Sequence, residues 1–172
     1  LDHPFLTPEG WTKVKDLQIS QFLANKLEPD CWATTIRKDE EFELAGYFIG
    51  DGCATKTKCS IQANITSNDE VQGQRIIEIA KNLGFDCSIF TKKGTEAKTY
   101  ALKSGIRKWL YDVGIAEKNS FTKVVPDWVF SGTKHQIGLF LGAYLSCDGH
   151  VTKNVDRKGN PRATRNIEFY SV

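Results

Sequence analysis

Two nine-residue segments with the same layout of residue types constrain this chain more than any other feature. Residues 44–52 read LAGYFIGDG and residues 141–149 read LGAYLSCDG. Each is a short apolar run that ends in an aspartate and a glycine, with small residues one helical turn apart. The small residues are Gly46 and Gly50 in the first run and Ala143 and Cys147 in the second. We predict two helices that end at their final glycines, each with a stripe where another backbone can approach closely.

The matching stripes predict that the two helices pack against each other. If they pack in parallel, Asp51 and Asp148 lie at the same end of the pair and their carboxylates converge. Two adjacent carboxylates repel unless a cation lies between them, so this arrangement predicts a divalent metal site. A buried helix rich in small residues explains either segment alone, but it does not explain the shared aspartate.

Both segments resemble the LAGLIDADG motif of homing endonucleases, whose last acid matches Asp51 and Asp148, 97 residues apart. The resemblance implies an α+β fold with the order αββαββα in each of two pseudo-symmetric halves. Residues 41–132 would form the first half and residues 133–172 the second. It also implies hydrolysis of double-stranded DNA with Mg²⁺ or Mn²⁺, in which Asp51 and Asp148 are catalytic metal ligands.

Residues 1–27 follow a different pattern, which resembles the splicing domain of an intein. The matching residues are His3 to Thr7, Gly10, Trp11, Asp16 and Leu17. In that family the histidine polarises the peptide bond at the upstream splice junction, so His3 takes a catalytic role by this match. A lone histidine is otherwise an ordinary surface or core residue. The resemblance implies a β-rich fragment of a Hint-type domain, a linker over residues 28–40, and two partners, which are the remainder of the intein and the host extein protein.

An alternating strand is predicted over residues 59–66, directly after the first motif. Its apolar residues Ile61, Ala63 and Ile65 point one way, and Ser60, Gln62 and Asn64 point the other. Amide side chains in a row suit base edges in a major groove, where Gln and Asn pair with adenine. An ordinary solvent-exposed face has the same pattern.

The following segments predict the rest of a four-stranded sheet with helices on one face. A capping box at Ser67 and Glu70 predicts the start of a helix that ends at Leu83, before Gly84. A hairpin over residues 87–92 and 98–103 comes next. The spacing of Ile106, Trp109, Leu110 and Val113 then predicts an amphipathic helix that stops at Gly114.

The net charge of +2 is distributed unevenly. Residues 1–91 contain 9 Lys or Arg and 14 Asp or Glu, whereas residues 92–165 contain 14 and 6. The basic excess suits a polyanion-binding surface with salt-dependent affinity, although a solvated basic face is the alternative. The basic residues expected to contact DNA are Lys56, Lys58, Lys92, Lys93, Arg157, Lys158, Arg162 and Arg165. The last four are predicted to form a phosphate-binding loop region in a hairpin over residues 150–153 and 165–172.

Residues 121–126, FTKVVP, resemble a further signature of intein endonucleases, a lysine three positions before a proline between the two motif copies. By this match Lys123 is a catalytic lysine near the metal site, where it would stabilise phosphate charge or position water. A plain linker lysine is the alternative.

Composition limits the remaining classes. No apolar run approaches 18 residues, so no membrane span is expected. The five cysteines form no CxxC pair, which indicates reduced thiols in an intracellular protein and disfavours a zinc site. Together with the endonuclease resemblance, this predicts a cytoplasmic, DNA-associated protein.

Two other functions compete with an intein-borne endonuclease. Only 24 residues follow Asp148, so we expect an incomplete second half. The chain would then be an inert piece of a split intein that acts only in protein splicing. A free-standing LAGLIDADG endonuclease or a maturase is the other alternative, and the splicing-domain pattern argues against it.

Overall fold

The structure is a computed structural model that describes residues 2–23, 33–34, 36–58, 60–91, 94–155 and 161–169, with the backbone alone for residue 148 and residues 150–155 and 161–169. The elements in chain order are β1 (Pro4–Thr7), β2 (Gly10–Lys13), α1 (Asp39–Ile49), β3 (Gly52–Lys56), β4 (Ile61–Ser67), α2 (Glu70–Asn82), β5 (Cys87–Thr91), β6 (Lys98–Leu102), α3 (Ile106–Asp112), α4 (Lys134–Asp148), β7 (Gly149–Val155) and β8 (Pro161–Phe169). The predicted α+β class and the order αββαββα, from α1 to α3, are confirmed.

A four-stranded antiparallel sheet with the order β3-β4-β6-β5 forms the centre of the first half. The predicted alternation along β4 is confirmed, because Ile61, Ala63 and Ile65 are buried while Gln62 is exposed. The buried face packs against the helices through Ile76, Ile79 and Ala80 of α2 and through Ile106, Trp109 and Leu110 of α3. On the opposite face, Gln62, Phe90 and Lys103 are exposed among the residues that the structure describes.

Helix α1 lies at the centre of the core, and every residue from Phe42 to Phe48 is buried. Its first turn contains Asp39, Glu40 and Glu41, whose negative charges favour a helix N-terminus. The helix begins at Asp39, so residues 39 and 40 of the predicted linker 28–40 are helical.

A bidentate ion pair ties α1 to α2. Glu43 is 8% exposed, and its two carboxylate oxygens accept from Arg75 Nε at 2.9 Å and Arg75 Nη2 at 2.7 Å. This pairing raises the pKa of Arg75 above its usual range, mainly through the hydrogen bond to Glu43. A bidentate contact fixes the relative orientation of the two side chains as well as their distance, so this ion pair fixes how α2 packs on α1.

The predicted capping box at Ser67 and Glu70 is wrong. Asp69 is the N-cap of α2, and its carboxylate accepts from the backbone N–H of Val71 at 2.7 Å and of Gln72 at 3.1 Å. Ser67 instead ends β4, since its backbone pairs with Lys98 in β6. Strand pairing thus continues through the residue that the capping pattern assigns as the N-cap, and the N-cap lies two residues later.

The last two strands form a longer hairpin than the sequence predicts. The β7–β8 register runs from Gly149 opposite Phe169 to Lys153 opposite Arg165, then shifts so that Val155 lies opposite Pro161. Arg162 and Arg165 therefore lie in a strand and not in the predicted loop region. The predicted DNA contacts Arg157, Lys158, Lys92 and Lys93 lie outside the described residues. Within the described ranges, no helix is both long and apolar enough to span a bilayer.

Candidate metal centre and nucleic-acid interface

Helices α1 and α4 pack in parallel through their small-residue stripes, as predicted. A Cβ atom added to Gly46 would lie 2.4 Å from the Phe140 carbonyl oxygen and 2.8 Å from Ala143 Cβ. One added to Gly50 would lie 2.6 Å from Cys147 Cβ. The partners advance in the same direction along both helices, which defines the parallel orientation. These two glycines allow backbone contact that any larger residue would prevent.

The parallel packing brings both acid-bearing helix ends to the same end of the pair. Helix α1 ends at Ile49 with Gly50 as its C-cap, so Asp51 lies in an exposed turn before β3. The expectation that this helix reaches Gly52 is wrong by three residues, because Gly52 already pairs with Ile65 in the sheet. Helix α4 continues through Asp148, the residue after Cys147. Each aspartate thus follows, in sequence, a residue of the close contact between Gly50 and Cys147.

The residues at this junction fit a hard divalent cation. Mg²⁺ prefers oxygen ligands and keeps several water molecules, so one or two carboxylates in a solvent-accessible position suffice. Asp51 is exposed, so a hydrated cation can reach it. Within the described residues, no group of three or more His, Cys, Asp or Glu side chains is arranged around one point. A site of this kind would therefore depend on the two aspartates.

Lys123 lies at the Asp51 end of α1, where the resemblance implies a catalytic lysine. Its Nζ atom donates to the carbonyl oxygen of Gly52 at 2.5 Å and reaches those of Ile49 and Gly50 at 3.4 Å. The N-terminal and C-terminal neighbours of Asp51 are therefore both bound by this one ammonium group.

Tyr47 lies in the core beside the same helix pair, and it is 5% exposed. Burial, followed by the negative charge of Glu43, raises the pKa of Tyr47 to about 12. The unfolded chain loses this proton near pH 10, as an ordinary tyrosine does.

The raised pKa of Tyr47 predicts a loss of stability at alkaline pH. The neutral phenol favours the folded state, so its contribution is complete below about pH 10 and is lost as the pH rises through about 12. We expect a Tyr47→Phe variant to lose less unfolding free energy than the parent chain when urea titrations at pH 8 and pH 11 are compared. Equal alkaline losses in the two proteins would contradict this assignment.

The exposed sheet face contains the predicted base-reading residues. Register places Asn64 opposite Cys53 on one side and opposite Ala101 on the other, and Gln62 opposite Thr55. A shallow depression on this face is lined by Ser60, Gln62 and Asn64 together with Phe90, Ala101 and Lys103.

Phe90, Ala101 and Lys103 are members of this surface that the sequence reading missed. Phe90 is 49% exposed although it is a large aromatic side chain. The alternation of side chains within β5 and β6 indicates which of their residues share a face. The sequence does not indicate that β6 lies next to β4. Without that strand order, nothing in the sequence brings Ala101 next to Asn64.

The remaining predicted site residues lie on the surface. Lys56 and Lys58 are exposed near the β3–β4 turn, and Lys56 Nζ lies 3.6 Å from a carboxylate oxygen of Glu117. His3 precedes the separate β1–β2 hairpin and is exposed. Its ring packs edge to face against Phe5 with 5.5 Å between centroids, and its carbonyl accepts from Val14 N at 2.9 Å.

Comparison with known proteins gives similarity to parts of larger replication proteins. The chain is 30% identical over 174 aligned residues to the replicative DNA helicase DnaB of Synechocystis, covering 94% of this chain and 20% of the helicase. It is 29% identical to DnaB of Rhodothermus marinus, covering 93% of this chain and 18% of that protein. The small subunit of replication factor C from Methanocaldococcus jannaschii is 27% identical over 84% of this chain and 8% of its own length. The chain thus spans about a fifth or less of each relative. No protein-family model matches it.

Solved structures with a similar fold include three described by LAGLIDADG or homing-endonuclease names. The N-terminal LAGLIDADG domain of WhiA aligns with a TM-score of 0.42 and 16% identity over 73% of this chain and 57% of its own. I-DmoI in complex with DNA and Mn aligns with a TM-score of 0.42 and 14% identity over 65% and 63% of the two chains. I-WcaI bound to its DNA recognition sequence aligns with a TM-score of 0.44 and 17% identity, and the alignment covers 70% of this chain and 55% of I-WcaI.

Proposed function

We propose that this chain is part of an intein-borne homing endonuclease that hydrolyses double-stranded DNA with Mg²⁺ or Mn²⁺. The observation that carries the proposal is the parallel contact of α1 with α4 through Gly46 and Gly50, since it directs Asp51 and Asp148 toward the same end. A buried structural helix pair has no need for an acid at the same position of both helices, because two like charges at one end are unfavourable.

The similarity to these relatives supports the proposal that the chain is an element inserted into a host protein. The same segment of chain aligns with DNA helicases and with a replication factor C subunit, and it accounts for only a small part of each. Two proteins with different names that share one such segment are best explained by an insertion common to both. We therefore propose a replicative helicase as the host, and the remainder of the intein and the flanking extein as partners. His3 would assist cleavage at the upstream splice junction.

In the proposed reaction, Asp51 and Asp148 would hold the metal ions, and each acid would serve one strand of the duplex. A metal held there would make a bound water molecule more acidic and would offset charge on the attacking and leaving oxygens. The chain itself orients the duplex through the open sheet face, which adjoins Asp51 because β3 begins at the next residue. Lys56 and Lys58 would contact phosphates, while the catalytic role that the resemblance implies for Lys123 stays a prediction.

We propose that the sheet face reads at least one A·T pair. Asn64 and Gln62 line the depression on this face and have amide groups of the type that pairs bidentately with adenine, and Phe90 with Ala101 offers an apolar contact for the thymine methyl group. Each good bidentate contact is worth about 1–3 kcal/mol against the wrong base. Specificity would therefore depend on these side chains more than on the lysines.

An Asn64→Ala change is expected to raise the Kd for the target duplex about tenfold and to relax the base preference at one position. Fluorescence anisotropy with the target and a set of single-base variants measures both quantities. Gln74→Ala is the matched control, because Gln74 is an exposed amide on α2, away from the sheet face. An equal loss in both variants, or an unchanged base preference in the Asn64 variant, would refute the proposed reading.

The proposed function is tested with two plasmids, one carrying an uninterrupted helicase allele and one carrying the allele with the insertion. We expect the chain, extended by its natural downstream sequence if needed, to linearise only the uninterrupted plasmid, and only with Mg²⁺ or Mn²⁺. Cleavage of neither plasmid by either form of the protein would overturn the proposal, as would equal cleavage of both.

A further inference from the structure

The ammonium group of Lys123 closes the C-terminal end of α1. The three carbonyls it binds belong to Ile49, the last helical residue, to Gly50, the C-cap, and to Gly52, the first residue of β3. A lysine ammonium has three N–H donors, so it can serve more than one of these carbonyls at once. The acid-bearing turn at Asp51 is thereby held from both sides.

Helix α1 needs such a partner because it lacks the usual glycine cap. The last carbonyls of any helix have no intrahelical donors, and that end carries a partial negative charge. Helices α2 and α3 are followed by Gly84 and Gly114 in the left-handed conformation, each with φ of 77°. Gly50 has φ of −70° and ψ of −94°, which does not form a left-handed cap. Asp51 adds a carboxylate close by, so a cation at this point offsets both sources of negative charge.

The backbone of Lys123 is itself fixed by a compact turn. The Asn119 side chain accepts from the backbone N–H of Phe121 at 3.0 Å and of Thr122 at 3.1 Å. Lys123 N donates to the Asn119 carbonyl at 2.9 Å. Because these hydrogen bonds fix the backbone of Lys123, its side chain links this turn to the end of α1.

We infer that Lys123 is a positioning residue, which orients the Asp51 carboxylate for metal binding through the carbonyls on either side of it. This inference rests on the proposed metal-dependent function, and the positioning role differs from direct action of Lys123 on the DNA phosphate. The two roles differ in their effect on metal affinity when no DNA is bound. Removing a positive charge beside a carboxylate strengthens cation binding by Coulomb's law, whereas loss of a positioning contact weakens it.

The test compares the full chain with Lys123→Met and with Lys118→Met, an exposed lysine a few residues earlier that serves as the control. Calorimetric titration with Mn²⁺ alone measures metal affinity. Amide hydrogen exchange measures local order at Gly50, whose N–H donates to the Gly46 carbonyl, and at Leu83, the C-cap of α2, as an internal reference. For Lys123→Met we expect about tenfold weaker Mn²⁺ binding and about tenfold faster exchange at Gly50, with Leu83 unchanged. The control should match the parent chain in all three readouts.

Unchanged or tighter Mn²⁺ binding by Lys123→Met would overturn the positioning role. Unchanged hydrogen exchange at Gly50 would also overturn the positioning role, because the contacts of Lys123 would then not order the end of α1. If the parent chain binds no Mn²⁺ at all, the proposed metal-dependent function fails, and the exchange at Gly50 alone decides whether Lys123 orders the Asp51 turn.

Discussion

Replacing Asp51 with asparagine is expected to lower the rate of metal-dependent DNA cleavage by about 10²–10³-fold, the loss typical of removing one preorganised electrostatic group. Asparagine keeps the shape of the side chain and removes its charge. Binding of the duplex should therefore remain, or tighten slightly because one negative charge near the phosphates is gone. Single-turnover cleavage and anisotropy binding, measured on the same duplex, separate the two effects.

The matched control is Asp112→Asn, an exposed aspartate at the end of α3. It should leave both the cleavage rate and the affinity unchanged. A parent-like cleavage rate in the Asp51→Asn variant would show that this carboxylate does not hold the metal. Equal losses in both variants would point instead to a general effect of charge on folding.

Replacing Gly46 with alanine is expected to reduce the unfolding free energy by about 2 kcal/mol, within the range for overpacked cores. The new methyl group would lie 2.4 Å from the Phe140 carbonyl oxygen and 2.8 Å from Ala143 Cβ. The first of these is backbone, so only separation of α1 from α4 relieves the overlap. Urea denaturation followed by circular dichroism measures the change.

Gly142→Ala is the control for this prediction. Gly142 lies in α4, and a Cβ added there meets no atom within 4 Å among the described residues. Alanine at that position should stabilise the protein by about 0.5–1 kcal/mol, because glycine is unfavourable in the middle of a helix. Opposite signs for the two changes are the expected result, and stabilisation in both would contradict the close parallel contact.

Much of the first half could be predicted from the sequence because its signals are local. The alternation of Ile61, Ala63 and Ile65 identifies β4 and its buried face without knowledge of any neighbour. The helical spacing of Ile106, Trp109 and Leu110 identifies α3 in the same way. The small-residue stripes identify the α1–α4 contact, since only a close backbone approach requires glycine at both Gly46 and Gly50.

The features that could not be predicted depend on contacts between distant parts of the chain. Ser67 has good capping chemistry, but pairing with Lys98 in β6 keeps it in the strand and leaves the N-cap to Asp69. Helix α1 ends at Ile49 because Gly52 is already committed to the sheet. The carbonyl partners of Lys123 lie more than 70 residues away in the chain, and nothing near the lysine specifies them. In each case a tertiary contact overrides a local pattern.

The proposed convergence of Asp51 and Asp148 on one metal site is tested most directly by Mn²⁺ binding in a double-mutant cycle. Calorimetry would compare the parent chain, Asp51→Asn, Asp148→Asn and the double variant. Each single change should weaken binding by about tenfold or more, and the double change should cost clearly less than the two losses combined, because both acids serve the same ions. Parent-like affinity in Asp148→Asn, or losses that simply add, would show that the two aspartates do not form one site.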